Sequence, residues 1–294
     1  MIVPSPIGIV GLGLMGGSLA RALSRLPDPP EVVAWSRNAD DLEFARDARV
    51  IRHAAGSPEE VAEAAALVVY AVPLGAILGM LDSHRTLWRP DTFVTDVASL
   101  KGPLIERARA HGVADRFVGS HPMTGGESSG FRAARADLYR GVPVWITGDT
   151  GSPAARTAVE ALWEAVEAHP VGCEARDHDQ RMVWASHLPQ LTANALARVL
   201  AAEGVTRADL GPGGRDMTRL AGSSAAVWTD LLEAAAPAVS AALQALGRAI
   251  QDLARDLDEG RVENVAAVMD ATRRWREAPE DGPPGPRSNE SEAP

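Results

Sequence analysis

The chain has few of the residues that mark several large classes of protein. Its single cysteine, Cys173, excludes a disulfide framework and favours a reducing cytoplasm, where a small buried side chain is its expected role. No run approaches the roughly 18 uninterrupted apolar residues of a membrane helix, and no charged-then-apolar leader opens the sequence. The net charge of −10 argues against nucleic acid as a partner. These absences predict a cytoplasmic globular protein that binds neither nucleic acid nor a membrane.

Lysine is nearly absent as well. Of the 29 lysine and arginine residues, only Lys101 is lysine. A compact ammonium suits a tight site better than a planar guanidinium does, although chance retention explains the same observation. We expect Lys101 to contact a bound cofactor, because it follows a strand at the edge where ligands bind in α/β sheets.

The start of the chain carries a strand, a glycine turn and a helix, in that order. Residues 7–20 read IGIVGLGLMGGSLA, in which Gly11, Gly13 and Gly16 have the spacing G-x-G-x-x-G. The first glycine permits the tight turn, the second lets the backbone reach a pyrophosphate, and the third lets the helix pack on the strand. Leu14 and Met15 open the helix, whose unpaired N–H groups favour an anion. The segment predicts a dinucleotide site, with a plain strand–turn–helix as the alternative.

The second half of that site departs from the usual pattern. An acid about 20 residues past the glycines normally binds the ribose 2′-hydroxyl, but Ser36 and Arg37 stand there. A hydroxyl with a guanidinium suits a 2′-phosphate, so NADP is favoured over NAD. Two readings stay open: Arg37 as a solvated loop residue, and Asp40 or Asp41 as the ribose ligand.

Strand-like and helical runs alternate up to about residue 148. The strands are predicted at 7–10, 32–35, 67–71, 92–95, 117–119 and 142–147. This alternation predicts a Rossmann-type, doubly wound parallel sheet over 1–150. A helix over about 153–168, with a short strand near Val171, leads into an all-helical dimerisation domain over 151–278. The tail, 279–294, holds five prolines and four acids and is predicted to be disordered.

A long apolar stripe runs through the second domain. It comprises Trp228, Leu231, Ala235, Val239, Leu243, Leu246, Ile250, Leu253 and Leu257, at steps of three and four. Pro237 lies inside it and should kink or interrupt the helix. We expect the stripe to pack against a second subunit, which gives a homodimer through the C-terminal helices; an intrachain bundle is the alternative.

Three segments follow strands and therefore lie at the edge where ligands bind in open α/β sheets. They are Val72-Pro73, the run 96–101 and His121-Pro122. Proline forces His121 out of helical geometry and into an extended loop. A histidine of near-neutral pKa beside a hydride acceptor is suited to take an alcohol proton, although a lone loop histidine is as often a structural one. No His/Cys/Asp cluster has metal-ligand spacing.

Five colinear motifs resemble the prephenate and arogenate dehydrogenases of tyrosine biosynthesis. They are GSHPMTGGESSG at 119–130, TDVASLK at 95–101, HDQ at 178–180, SHLP at 186–189 and RDMTR at 215–219. The resemblance covers about residues 6–278. It implies oxidative decarboxylation of prephenate to 4-hydroxyphenylpyruvate, with arogenate as the alternative substrate and tyrosine as its product.

The same resemblance implies roles for particular residues. His121 would accept the proton of the substrate hydroxyl and Ser99 would hold that hydroxyl in line. Arg219 would bind a substrate carboxylate, Trp228 would line the pocket and Glu127 would help to gate it. Two residues depart from common family choices, Gln190 in place of a histidine and Gly126 in place of a threonine. Ser186 joins these at the substrate, and His187 supports them from behind.

Two other functions share parts of this pattern but fit the residues less well. A β-hydroxyacid dehydrogenase would need a lysine in the second domain, which this chain does not have. A non-catalytic NADP-binding sensor would keep the glycines but would not need His121, Ser99 and Arg219 together.

Overall fold

The computed structural model describes residues 3–126 and 130–279. The backbone divides into two compact units. The first comprises Met1–Met182 and Ser223–Ala234, and the second comprises Val183–Gly222 and Ala235–Pro294. We call them the nucleotide unit and the helical unit. Glu127 and residues 280–294 of the expected tail lie outside the described residues.

A six-stranded parallel sheet with the strand order β3-β2-β1-β4-β5-β6 is the core of the nucleotide unit. Its strands are β1 (Ile7–Val10), β2 (Val32–Trp35), β3 (His53–Ala54), β4 (Leu67–Tyr70), β5 (Phe93–Asp96) and β6 (Phe117–Val118). Every residue of β1 and β4 is buried, as expected for central parallel strands covered on both faces. The predicted doubly wound Rossmann-type fold is confirmed.

Five helices connect these strands. They are α1 (Leu14–Leu23), α2 (Ala39–Asp47), α3 (Pro58–Ala64), α4 (Leu74–His84) and α5 (Gly102–Ala110). Two of them are capped by the side chain of their own N-cap residue: Asn38 accepts the N–H of Asp40 at α2, and Ser57 accepts the N–H of Glu60 at α3. Helix α1 has no side-chain cap, so its first turn keeps the character of an anion site.

The register of the sheet places the functional segments at one edge. Val10 pairs with both Trp35 and Tyr70, and Tyr70 pairs with Asp96. The carboxyl ends of the parallel strands β2, β1, β4 and β5 therefore lie at the same level in the sheet. The glycine turn, Ser36-Arg37, Val72-Pro73 and the turn after Asp96 leave the sheet side by side.

A second sheet of three strands completes the nucleotide unit. It consists of β7 (Ser120–Pro122), β8 (Pro143–Thr147) and β9 (His169–Cys173), with β8 antiparallel to β7 and parallel to β9. His121 therefore lies in a strand opposite Trp145, and not in the loop that the sequence suggests. The run Ser-His-Pro has no apolar alternation, so only pairing with β8 makes it a strand.

Two helices and a short turn belong to the same part of the chain. They are α6 (Pro153–Ala165), α7 (Ala175–Met182) and a 3₁₀ turn at Phe131–Ala133. The nucleotide unit thus continues past residue 150, where the texture of the sequence changes. Helix α6 buries Val159, Leu162 and Trp163 in the same apolar core as β1, which explains why the unit extends this far.

The helical unit contains mostly α-helix. A π-helical turn at Val183–His187 precedes α8 (Leu188–Ala202), α9 (Pro212–Thr218), a 3₁₀ turn at Arg219–Gly222, α10 (Ala225–Asp258) and α11 (Val262–Glu277). The first residues of α10 belong to the nucleotide unit. Helix α10 continues through Pro237, although the sequence predicts a kink or an interruption there. Leu231 and Val239, on either side of the proline, are buried. Their burial offsets the loss of one backbone hydrogen bond.

Candidate active site

The glycine turn is packed closely at two of its glycines and open at the third. Gly11 has a φ of 101°, and a Cβ there would lie 2.5 Å from the carbonyl oxygen of Ala71. A Cβ on Gly16 would lie 1.9 Å from the carbonyl oxygen of Gly11. A Cβ on Gly13 would meet no atom within 4 Å. The backbone at Gly13 therefore faces open space, where a ligand can approach it closely.

Helix α1 begins directly after this open glycine. Leu14 and Met15 form its first turn and are half-buried, and Gly17 N–H donates to the carbonyl of Gly13 at 2.9 Å. N–H groups at an uncapped helix start attract phosphate through hydrogen bonding and the helix dipole. The turn fits the pyrophosphate of a nicotinamide dinucleotide, as its sequence predicts.

The end of β2 borders a cavity of about 270 Å³. Ser36 accepts the N–H of Asn38 at 3.3 Å, and Arg37 beside it is exposed. The cavity is lined by Asn38, Asp40, Asp41, Phe44, Gly130 and Arg132. Sequence reasoning missed Arg132, because nothing local in the sequence links it to β2.

Val72 and Pro73 lead into α4 at the same edge of the sheet. Val72 is half-buried, and its Cγ1 would lie 2.7 Å from a Cβ on Gly11. The N–H of Gly75, in the first turn of α4, donates to the carboxylate of Asp230 at 2.9 Å. Trp228, two residues before Asp230 on α10, is half-buried. The start of α10 is therefore tied to the helix that follows Val72 and Pro73.

At the end of β5, Asp96 forms a fully buried ion pair with Lys101. The Lys101 ammonium also donates to the carbonyl oxygen of Ser120 at 2.7 Å, and Asp96 accepts the N–H groups of Ala98 at 2.8 Å and Ser120 at 3.2 Å. Burial raises the pKa of Asp96 and lowers that of Lys101, while their mutual attraction opposes both changes. The pair holds β5 to the strand that carries His121.

The Lys101 side chain is fully buried, and the expected contact with a cofactor stays a prediction. The only lysine of the chain holds neighbouring backbone in place. An ammonium suits that role because its three donors converge from a single point.

His121 is held by a second histidine. Its Nδ1 lies 2.9 Å from Nε2 of His178 on α7, and Nδ1 of His178 lies 2.7 Å from Oδ1 of Asp179. His178 is fully buried, and burial lowers its pKa, although Asp179 opposes that effect. The HDQ motif at 178–180 was the sequence signal for this contact, but it assigned no role to either residue.

Ser99 and Gly126 belong to the same unit. Ser99 is half-buried in the turn between β5 and α5, three residues after Asp96. A Cβ on Gly126, which is exposed, would lie 3.3 Å from Cδ2 of Leu14 in the glycine turn. A threonine at 126 would therefore crowd the start of α1.

The remaining predicted substrate residues lie in the helical unit. Gln190 is buried, and its amide donates to Oδ1 of Asn194 at 2.8 Å and to the carbonyl of Leu220 at 2.7 Å. It thereby fixes the 3₁₀ turn that begins with Arg219, an exposed residue. Ser186 is half-buried and His187 fully buried in the π-helical turn before α8.

Two kinds of site are absent from the described residues. Over 3–126 and 130–279, no group of three or more His, Cys, Asp or Glu side chains is arranged to hold a metal ion. No helix in those ranges has both the length and the apolar character needed to span a membrane.

A dinucleotide turn and a buried network around a histidine in one α/β unit define a nicotinamide-dependent dehydrogenase, an oxidoreductase. Two family models match the chain. The first is "Prephenate dehydrogenase, nucleotide-binding domain", over residues 19–171, and the second is "Prephenate dehydrogenase, dimerization domain", over residues 174–271. The chain belongs to the prephenate dehydrogenase family, as its motifs predicted.

Known proteins of this family resemble the chain along most of its length. A cyclohexadienyl dehydrogenase of Zymomonas mobilis is 30% identical over 263 residues, which is 86% of this chain and 87% of that protein. Prephenate dehydrogenases of Lactococcus lactis and Bacillus subtilis are 28% and 31% identical over 76% of this chain. The matches span only 63% and 62% of those two longer proteins.

Two solved structures share the fold. Prephenate dehydrogenase of A. aeolicus, in complex with hydroxyphenyl propionate and NAD+, superposes with a TM-score of 0.85 at 25% identity, covering 94% of this chain and 98% of that chain. Arogenate dehydrogenase of Synechocystis superposes with a TM-score of 0.76 at 26% identity, covering 92% and 98%.

Proposed function

We propose that this chain oxidises and decarboxylates prephenate to 4-hydroxyphenylpyruvate, with NADP+ as the preferred cofactor. The observation that carries the proposal is the histidine pair on β7 and α7. His121 is fixed by buried groups in the same unit as the glycine turn. The A. aeolicus enzyme, solved with NAD+ and a hydroxyphenyl acid, supports the assignment of both ligand classes.

His121 is the proposed base in this reaction. It takes the proton of the C4 hydroxyl of the substrate, while Ser99 holds that hydroxyl in line. The glycine turn would hold the pyrophosphate of the oxidised dinucleotide, whose nicotinamide would supply the acceptor for the hydride from C4. The C1–carboxylate bond then breaks and CO2 leaves. The electron pair of the broken bond stays in the ring, which becomes aromatic, and the C4 oxygen becomes a phenolate. The phenolate regains a proton from His121.

The proposed substrate residues act on the carboxylates and the ring. Arg219 binds a carboxylate, and Gln190 supports it by fixing the 3₁₀ turn that Arg219 begins. Trp228 lines the pocket. Ser186 and Gly126 are proposed substrate-binding residues, and His187 is proposed to support them from behind. Glu127 is the proposed gate of the site.

The preference for NADP+ rests on the end of β2. Arg37 is exposed there beside Ser36, and Arg132 lines the adjoining cavity. Two guanidinium groups favour a 2′-phosphate. Asp40 and Asp41 line the same cavity and favour the unphosphorylated ribose of NAD+, which is the alternative.

We also propose that the chain is a cytoplasmic homodimer joined through its C-terminal helices. Large apolar side chains are exposed on α10 and α11: Ile250 by 56%, Leu257 by 56%, Met269 by 67% and Trp275 by 78%. A second copy would remove them from water. The description of the matching family model as a dimerization domain supports this pairing. The single cysteine supports a reducing compartment.

The test is a matrix of substrates and cofactors. Purified protein is incubated with prephenate or arogenate, each with NADP+ or NAD+, and formation of the reduced nicotinamide is followed. We expect the highest kcat/KM for prephenate with NADP+. A higher kcat/KM for arogenate would make arogenate the substrate in place of prephenate. A higher kcat/KM with NAD+ would make NAD+ the preferred cofactor. NADP+ binding without turnover of either substrate would favour the sensor function.

A further inference from the structure

Hydrogen bonds join three polar side chains of the nucleotide unit, His121, His178 and Asp179. His121 Nδ1 lies 2.9 Å from His178 Nε2, and His178 Nδ1 lies 2.7 Å from Asp179 Oδ1. Both distances lie within the normal range of hydrogen bonds. Each ring nitrogen of His178 therefore has a partner.

The Asp179 end of this hydrogen-bond chain is anchored to the backbone. Asp179 accepts the N–H of Lys101 at Oδ1 and the N–H of Gly102 at Oδ2, each at 2.8 Å. These N–H groups lie at the start of α5, so the carboxylate also caps that helix. Asp179 is thus fixed by groups that can only donate.

The His178 ring is fixed from its sides as well. It is fully buried, its centroid lies 6.3 Å from that of Trp145, and its plane is at 81° to that of His121. Trp145 is the β8 residue opposite His121 in the second sheet. The packing leaves the His178 ring little room to rotate away from His121.

The direction of the hydrogen bonds follows from Asp179. An ionised carboxylate only accepts, so Nδ1 of His178 donates to it. In a neutral imidazole the other nitrogen is then an acceptor, so His178 Nε2 accepts a proton from His121 Nδ1. A neutral His121 consequently carries its proton on Nδ1 and its lone pair on Nε2.

We propose that His178 and Asp179 are positioning residues that hold His121 as the Nδ1–H tautomer, with Nε2 directed to the substrate hydroxyl. This inference rests on the proposed function, in which His121 takes the hydroxyl proton. Once His121 is protonated, its Nδ1–H still donates to His178, and the Asp179 carboxylate beyond stabilises the positive charge.

The charged groups around His178 agree with this arrangement. Asp179 and Asp96 favour protonation of His178, while Lys101 and, above all, burial disfavour it. The balance lowers the pKa of His178. His178 therefore stays a neutral acceptor where His121 works as a base.

The first test reads the tautomer directly and needs no substrate. Protein labelled with ¹⁵N-histidine is examined by long-range ¹H–¹⁵N correlation, and the His121 signals are assigned with His121→Asn. We expect the Nδ1–H form of His121 at neutral pH. An Nε2–H form would overturn the proposal, whichever substrate the enzyme uses.

The second test changes the polar partners. The amide of Asp179→Asn keeps an oxygen where the Lys101 N–H and His178 Nδ1 both point, but it has no negative charge to stabilise a protonated His121. We expect Asp179→Asn to keep the Nδ1–H tautomer of His121 and to lose about 10- to 100-fold in kcat with little change in KM. His178→Gln keeps an acceptor near the Nε2 position, so it should retain more kcat than His178→Leu.

The control is His169→Gln, which alters an exposed histidine of β9 in the same unit. It should change neither the tautomer nor kcat. If Asp179→Asn fails to fold, because it also loses the α5 cap, the two His178 variants decide the question. Equal kcat for His178→Gln and His178→Leu would overturn the proposal. If the wild type turns over neither substrate, the proposed function fails, while the tautomer measurement still tests the hydrogen-bond chain.

Discussion

The two units of this chain treat their functional and apolar groups differently. In the nucleotide unit, Asp96, Lys101 and His178 are fully buried. Hydrogen bonds join Lys101 to Asp96 and His178 to Asp179. In the helical unit, Arg219 is exposed, as are large apolar side chains such as Ile250 and Trp275. The nucleotide unit buries these polar groups, whereas the helical unit leaves Arg219 and these apolar side chains exposed.

The difference shows how stability and function are distributed. A buried polar network costs much when it is broken, because each remaining group is left unsatisfied in a medium of low polarity. Substitutions on an exposed apolar face break few contacts within its own unit, so they act mainly on association with a partner. We therefore expect substitutions in the nucleotide unit to affect catalysis and folding, and those in the helical unit to affect binding and assembly.

The largest expected effect is at His121. His121→Asn keeps a polar side chain but removes the base, so kcat should fall about 10²- to 10⁴-fold while the fold remains intact. Steady-state kinetics and circular dichroism check this together. His169→Asn, on an exposed histidine, is the control. Near-wild-type kcat in His121→Asn would remove this residue from the chemistry.

The buried ion pair should dominate stability. Lys101→Met leaves the Asp96 carboxylate buried without its partner, so the free energy of unfolding should fall by about 3–5 kcal/mol in urea titrations. Adding Asp96→Asn should restore a substantial part of that loss. Arg107→Met removes a partly exposed partner of Asp82 and should cost under about 1 kcal/mol. Similar losses for Lys101→Met and Arg107→Met would contradict the contrast between buried and exposed pairs.

Arg219 tests the helical unit. Arg219→Ala should cost about 2–4 kcal/mol in kcat/KM, because a substrate carboxylate loses its charged partner. The loss should appear mainly in KM, with unfolding unchanged. Arg215→Ala, on an exposed arginine of α9, is the comparison. If Arg215→Ala gave the larger loss, Arg215 would be the carboxylate ligand.

The cofactor preference depends on Arg37. Arg37→Ala should weaken NADP+ binding by about 1.5–3 kcal/mol and leave NAD+ binding nearly unchanged, because only NADP+ carries the 2′-phosphate. Calorimetric titration of both cofactors measures this difference. Arg52→Ala, another exposed arginine, should affect neither. Equal binding of the two cofactors by the wild type would exclude the preference.

The smallest expected effect concerns assembly. Ile250→Glu places a charge in the apolar face of α10 and should raise the dimer dissociation constant at least about tenfold, or 1.4 kcal/mol. Sedimentation over a range of concentrations measures it. Gln251→Glu adds the same charge at the next position and serves as the control. A monomeric wild type would reject the dimer.

The sequence predicted the parallel sheet well because its signals are local. The strands at 7–10 and 32–35 coincide with β1 and β2, and the glycine spacing marks the close approach at Gly11 and Gly16. It missed β7 and β3, which are too short and too polar to carry a pattern of their own. Backbone pairing with a neighbouring strand makes each of them a strand.

The candidate site shows the same contrast between local signals and tertiary contacts. The sequence alone determined the family motifs, the glycine turn and the choice of His121, because each is a short run of residues with its own chemistry. Only the tertiary structure decided that Lys101 is buried against Asp96 and that His178 and Asp179 support His121. The contacts of Lys101 with Asp179 and of His121 with His178 join residues that are 78 and 57 positions apart. No local pattern encodes such pairings, since they depend on which side chains the sheet and helix α7 bring together in the folded core.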